Sequence, residues 1–401
     1  MSGEFDAVVI GGGPAGATAA LALAREGLSV AVVEKAAFPR RKVCGEFISA
    51  TTWPLLRSLG VAADLEPFAG PPVRRVGLFA GEVMVDAAMP APPGTDAWGR
   101  AIGREHLDQA LLQAAVRAGA VLWQPWSAVG LEEGSDGCKI TIADRDGATR
   151  AIGARVVVAA HGSWERGELP TQVHTARHGA ADLLGFKAHF HGSRLAAGLM
   201  PLVIFPGGYG GLVHAGGART SFSCCVRRDA LRCCRGSHPG LAAGEALLMH
   251  VIESTRGVRT ALEGARRELP WLSSGPIRPG VRGLARGRVF TVGNAAGEAH
   301  PLVAEGISMA IQSGWVLARC LGQARELSPA TVREAGERYA RGWRENFANR
   351  VRASMVFATL TTSPAIAAVS VAAMRGVPGI LTWGARWSGK ARAPRPAQAP
   401  I

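Results

Sequence analysis

The chain has 401 residues, of which 48% are hydrophobic and 19% charged, with 52 Gly and 24 Pro. This composition excludes a disordered or collagen-like chain, and the length predicts roughly two to three domains with real cores. Lys and Arg number 45 against 31 Asp and Glu, a formal net charge of +14. Lysine is scarce (Lys35, Lys42, Lys139, Lys187, Lys390), so the excess is almost all arginine. The charge is dispersed, without the dense stripe or reader motif of a nucleic-acid binder, and no nucleic-acid partner is expected. It supports only a mild pull on anions: a nucleotide cofactor, an acidic carrier protein or a peripheral membrane contact.

The N-terminus enters a strand-like run by Phe5, leaving no room for a signal peptide, and the seven cysteines follow no framework spacing. Reduced thiols and a cytoplasmic protein are the expectation. Read as strand pairs, Cys224-Cys225 and Cys233-Cys234 point to opposite faces and cannot share one ion, so no metal is expected.

Ala7-Val8-Val9-Ile10 predicts a short strand, Gly11 to Gly16 a turn, and the Ala-rich residues to Arg25 a helix ended by Gly27. Ser29 to Val33 is a second apolar strand closed by Glu34. Strands apolar on both faces around a helix make a βαβ unit of a parallel sheet. Val76 to Val85 alternates as a hairpin does. A helix from about Arg104 to Arg117 precedes the strand Val121-Leu122-Trp123. Lys139 to Ile142 suggests a small antiparallel meander, and Val156-Val157-Val158 and Val289-Phe290-Thr291-Val292 return to the parallel type. Between them, Phe186 to Arg227 is a series of alternating runs broken by glycines, as in an antiparallel sheet.

The expected architecture is α/β: a discontinuous Rossmann-type nucleotide-binding domain with a β-meander, an antiparallel-sheet substrate domain and C-terminal helices. The expected ranges are 1–70, 100–165 and 275–340 for the first, 71–99 and 166–274 for the second, 341–389 for the helices and 390–401 for a flexible tail. Residues 353–374 carry no charge, but six are Ser or Thr and Ser363-Pro364 reads as a helix start. That divides the run into two helices, each well short of the roughly 20 residues a span needs.

Gly11, Gly13 and Gly16 fit a dinucleotide fingerprint: a tight turn, close approach of backbone to pyrophosphate, and close packing of helix on strand. Pyrophosphate then sits on a helix N-terminus. Glu34, eighteen residues after Gly16, is placed to accept from a ribose hydroxyl, with Lys35 beside it. A bare fingerprint is a weak signal; strand, helix, strand and acid in register make it a strong one.

Three further segments carry a resemblance. Lys42-Val43-Cys44-Gly45-Glu46 resembles the Lys-x-Cys-Gly segment of the geranylgeranyl reductase group of flavoproteins. Gly103-Arg104 with Leu107-Asp108 resembles the helix whose arginine approaches the flavin pyrophosphate in that group. Thr291 to Gly297, followed by Pro301 and Glu305-Gly306-Ile307-Ser308, is similar to the second FAD motif shared with the para-hydroxybenzoate hydroxylase superfamily. The resemblance implies FAD as cofactor, held by Gly11, Gly13, Gly16, Glu34, Lys35, Lys42, Cys44, Arg104, Asn294, Pro301, Gly306, Ile307 and Ser308. The N–H groups at Gly306 and Ile307 would face the flavin pyrimidine edge, where reduced flavin is negative. Pro206 to Gly211 resembles the Pro-Gly-x-Tyr-Gly segment on the substrate side of these reductases, which makes Tyr209, with Cys44 and His300, a candidate catalytic residue. Glu298 and Glu305 are expected to hold loops. His189, His191 and His214 fall on the second sheet with no acid partner identified.

Two departures stand out: Gly293-Asn294 replaces the family's Gly-Asp, and His161-Gly162 replaces its Asp-Gly. With no second fingerprint present, NAD(P)H is expected as a transient electron donor. Trp123-Gln124-Pro125-Trp126 does not match the Trp-x-Trp-x-Ile-Pro segment of flavin halogenases, so halogenation is not expected. The resemblance implies an oxidoreductase acting on a largely apolar small molecule, free or carrier-bound. Hydroxylation through a flavin hydroperoxide is the first expectation, reduction of an isolated C=C bond the second. A non-catalytic lipid-binding chaperone of related fold is the third.

Overall fold

The computed structural model describes residues 4–91, 97–163, 167–172, 179–324, 326–362 and 364–390. Strand β1 (Glu4–Ile10), helix α1 (Pro14–Arg25) and strand β2 (Val30–Val33) form the leading βαβ unit. Pro14 sets the first helical turn, Gly13 precedes it in extended conformation, and Gly27 at φ +87° ends the segment. The sheet runs Ala285–Arg286, Val289–Thr291, Thr149–Ala159, β1, β2, Val121–Trp123, and its inner pairings are parallel. Thr149–Ala159 serves two partners. Its first half pairs antiparallel with Cys138–Ala143, the expected meander, and its second half joins the parallel sheet.

The second sheet contains the hairpin Arg75–Ala80 and Val83–Ala88 and the four strands Leu183–His191, Leu199–Phe205, Gly208–Ala215 and Arg219–Arg227. Among the described residues its pairings are antiparallel except that Arg75–Ala80 runs parallel to Leu199–Phe205. Period-two alternation divides its faces. Phe186, Ala188 and Phe190 pack with Leu231, Leu247 and Val251 of the covering helices, while Lys187 and His189 turn to the first domain.

Two expected boundaries shift. Leu272–Ile277 pairs with Leu183–His191, so the second sheet extends past 274. Leu169 packs among Val8, Ile10 and Val157, so residues 167–172 belong with the first sheet. Cys233-Cys234 lies on a helix (Arg228–Ser237), not a strand; Cys233 is exposed and Cys234 buried. The expected tail beyond Lys390 lies outside the described residues, as does Ser363. Helices Pro364–Gly376 and Gly379–Ala385 close over the second sheet, with Leu381 packed on Leu78 and Ala80. Among the described residues no helix is long and apolar enough to cross a membrane.

Helix Gly306–Gly322 crosses α1 at backbone contact, since a Cβ on Gly314 would lie 2.3 Å from the Ala15 carbonyl oxygen. A backbone oxygen cannot step aside as a side-chain tip can. Gly314→Ala is therefore expected to destabilise the fold by about 1–3 kcal/mol, read as a lowered Tm in thermal unfolding.

Candidate functional site

A cavity of about 690 Å³ opens at the C-terminal ends of β1 and β2 and runs to the second sheet. Ligands of open α/β sheets bind at that edge, where the βα loops diverge. Gly11, at φ +106°, makes the turn, and Gly16 lies behind it: a Cβ there would sit 1.9 Å from the Gly11 carbonyl oxygen. Gly13 lines the cavity, and α1 begins with no side-chain cap, so its first N–H groups face the space. A side chain added at Gly13 would grow toward the guanidiniums of Arg40 and Arg104, each 3.8 Å from the Cβ position.

Cations converge on this end. Arg104 is clamped by Asp108 through two 2.6 Å bonds; burial opposes its charge, but the carboxylate more than restores it and raises the pKa. Burial, with Arg104 and Arg40 close by, lowers Lys42 to about 8. The buried Glu34 carboxylate accepts from the Gly12 N–H at 2.7 Å and the Ala36 N–H at 2.8 Å, and Lys35 lies beside it in the lining.

At the other edge Gly293, Asn294, Pro301, Gly306 and Ile307 line the cavity. Asn294 donates its amide to Glu298 at 3.0 Å. Helix Gly306–Gly322 also starts without a side-chain cap, leaving N–H groups toward the space. Ser308 is turned away: its hydroxyl is bonded to the Ser49 N–H and hydroxyl in the core. His161 lies in the lining with its ring nitrogens 2.9 Å from the Gly162 carbonyl and 2.8 Å from the Thr171 hydroxyl.

Cys44 and Tyr209 stand in the wall; His300 does not. His300 sits behind Tyr209, its Nε2 3.5 Å from the phenol oxygen and its backbone N–H bonded to Ser354. Burial lowers His300 to about 4 and raises Tyr209 well above its ordinary value, so the pair is neutral near pH 7. Among the described residues, His300 faces the cavity through the Tyr209 phenol, so its expected role as a proton donor would run through that hydroxyl.

His189 has no acid partner that the sequence alone identifies. The structure supplies one. Glu46, in the cavity wall, forms an ion pair with Lys187 and lies 2.8 Å from His189 Nε2, all three wholly buried. Burial opposes the Glu46 charge, yet Lys187 and His189 hold its carboxyl well below the usual carboxylate range. The available signal was Lys187 itself, since a lysine within an alternating, otherwise apolar strand demands a partner. No group of three or more His, Cys, Asp or Glu among the described residues could hold a metal.

A family profile described as an FAD binding domain matches residues 4–209. The menaquinone reductase of Mycobacterium tuberculosis (strain ATCC 25618 / H37Rv) is 27% identical over 351 residues, covering 84% of this chain and 81% of that protein. Digeranylgeranylglycerophospholipid reductase 1 of Methanopyrus kandleri is 27% identical over 374 residues, covering 86% and 87%. The solved structure of the flavin-dependent brominase Bmp2 superposes with a TM-score of 0.74 at 16% identity, over 97% of this chain and 94% of that one, and shares the fold.

The residues present fit FAD. Gly13 leaves a cradle that a side chain would fill, Arg40, Lys42 and Arg104 would supply charge for the diphosphate, and two uncapped helix N-termini face the cavity. Two tests follow from these charges. Loss of the Lys42 proton above about pH 8 would remove the charge it offers a bound diphosphate. FAD affinity of the apoprotein should then fall by up to about tenfold per pH unit. Lys42→Arg should flatten that profile in a fluorescence titration, and a flat wild-type profile would exclude the contact. Glu46→Gln strands Lys187 in the interior and should cost on the order of 3 kcal/mol in denaturant unfolding. Glu46→Gln with Lys187→Met should regain most of it. Because the folded pKa of Glu46 is depressed, its contribution is complete above the ordinary value of 4.5 and lost as pH falls below it.

Proposed function

Since the chain belongs to the FAD binding domain family and is an FAD-dependent oxidoreductase, we propose that its reaction is reduction of a C=C bond in an apolar, isoprenoid-like chain. One observation carries the reading. Among the described residues, the lining contributed by the second sheet and the C-terminal helices, including Val76, Met200, Leu202, Leu212, Ile380 and Leu381, contains no charged residue. The charged residues of the lining all come from the first domain, Glu46 at the border with the second sheet among them. An apolar chain gains by leaving water for such walls, at about 25 cal/mol per Å² buried. The two relatives aligned over four-fifths or more of this chain are named as reductases, of menaquinone and of a digeranylgeranylglycerophospholipid, and support reduction of an apolar molecule over hydroxylation. The brominase, at 16% identity, carries the fold alone.

FAD supplies the two-electron chemistry when bound. The chain's residues hold it at the charged end, keep water from the apolar end and offer proton donors in the wall. Cys44, on the segment between Lys42 and Glu46, is one; the Tyr209 phenol, backed by His300, is the other. NADH or NADPH is the proposed visiting donor.

The test is product formation from a short polyprenyl substrate, with NADH and NADPH, under argon and under air. Reduction under argon that falls several-fold in Cys44→Ser, with FAD absorbance retained, is expected. A hydroxylated product formed only under air, indifferent to Cys44→Ser, would replace the reductase with the hydroxylase the superfamily first suggests.

A further inference from the structure

The C-terminal helices present an outward face whose composition calls for a partner. Trp383 and Trp387 are 55% and 61% exposed, their rings 5.5 Å apart, and Val377 beside them is 59% exposed. This face does not arise from a loose end. On the inner side of the same helix Leu381 and Ala385 are buried, and Thr382 donates its hydroxyl to the Ala88 carbonyl at 2.7 Å on the sheet edge. Arg375 and Arg386 are exposed on the same segment. From residue 346 to the C-terminus the sequence has seven Lys or Arg and no Asp or Glu. The acid on the supporting strand, Asp86, is taken up by Arg75.

Trp383 also lines the cavity, with Met374, Ile380 and Gly384. A residue that is both cavity wall and open surface marks where the apolar end of the cavity reaches the outside. Exposed tryptophans rimmed by arginine, on short helices that cannot span, suit the headgroup region of a bilayer, where rings settle at the interface and cations meet anionic lipid.

We propose that this face docks on an anionic lipid surface, with the apolar mouth of the cavity turned toward the bilayer. Entry of substrate from the bilayer rests on the reductase reading; the docking itself does not.

The experiment is co-sedimentation of the FAD-loaded protein with phosphatidylcholine vesicles, with and without phosphatidylglycerol, and with no substrate present. Binding to the anionic vesicles only, reduced several-fold by high salt, is expected. Trp387→Ser and the pair Arg375→Glu/Arg386→Glu should each weaken it at least tenfold while keeping the FAD absorbance and Tm that show an intact fold. Equal and negligible binding to both vesicles would overturn the proposal, as would wild-type binding by both variants. A concentration-dependent dimer in light scattering that Trp387→Ser abolishes, without vesicle binding, would assign the face to a second copy instead. Loss of the reductase activity in the separate turnover assay would leave vesicle binding untouched, so the two readings fail independently.

Discussion

A carboxylate sealed from water must be neutralised where it sits, and Glu46 is neutralised from the other domain. Its partners Lys187 and His189 come from the same face of one strand of the second sheet, two residues apart, as the period of a strand requires. Removing charges from water costs free energy that their attraction only partly returns. The structural consequence is therefore registration more than net stability. The clasp holds the backbone at Glu46 at φ +64°, a conformation that costs a residue with a Cβ, and so fixes how Gly45 and Cys44 run along the cavity wall. Lys42, four residues earlier, lies in the cationic cluster. One short segment is thus anchored to cofactor-side charges at one end and to the second sheet at the other.

The first domain was legible because its constraints are local. Apolar runs on both faces, a glycine where backbone meets backbone and an acid at the end of β2 are all set within the first 34 residues. The Glu46 clasp was not legible, since its residues are 141 and 143 positions apart and only the docking of two sheets brings them together. Ser308 shows a finer limit. The motif placed it at the correct helix start, but each helical residue turns about 100° from the last. Ile307 meets the cavity and its neighbour Ser308 meets Ser49. The parallel pairing of Arg75–Ala80 with Leu199–Phe205 was hidden for a similar reason, because alternation reports which face is buried and not which strand lies alongside.

These differences in legibility follow the division of the cavity itself. The profile match ends at residue 209, and it takes in the fingerprint, Glu34, Lys42, Cys44 and Arg104. Much of the apolar wall comes from beyond it: Leu212, Met374, Ile380, Leu381 and Trp383. Diphosphate recognition tolerates little change, because backbone approach and converging charges must be met within tenths of an ångström. Apolar walls have no such requirement. Hydrophobic contact is non-directional, and exchange among aliphatic side chains alters the length and width of a channel at modest cost. Selection among apolar substrates is therefore expected to reside in the second sheet and the C-terminal helices. On the proposed reading, chemistry falls at the junction, where Cys44 and Tyr209 line the wall between the charged and the uncharged lining. That boundary, held in place by Glu46, lets one cavity offer charge to a polyanionic cofactor at one end and apolar walls, suited to the proposed substrate, at the other.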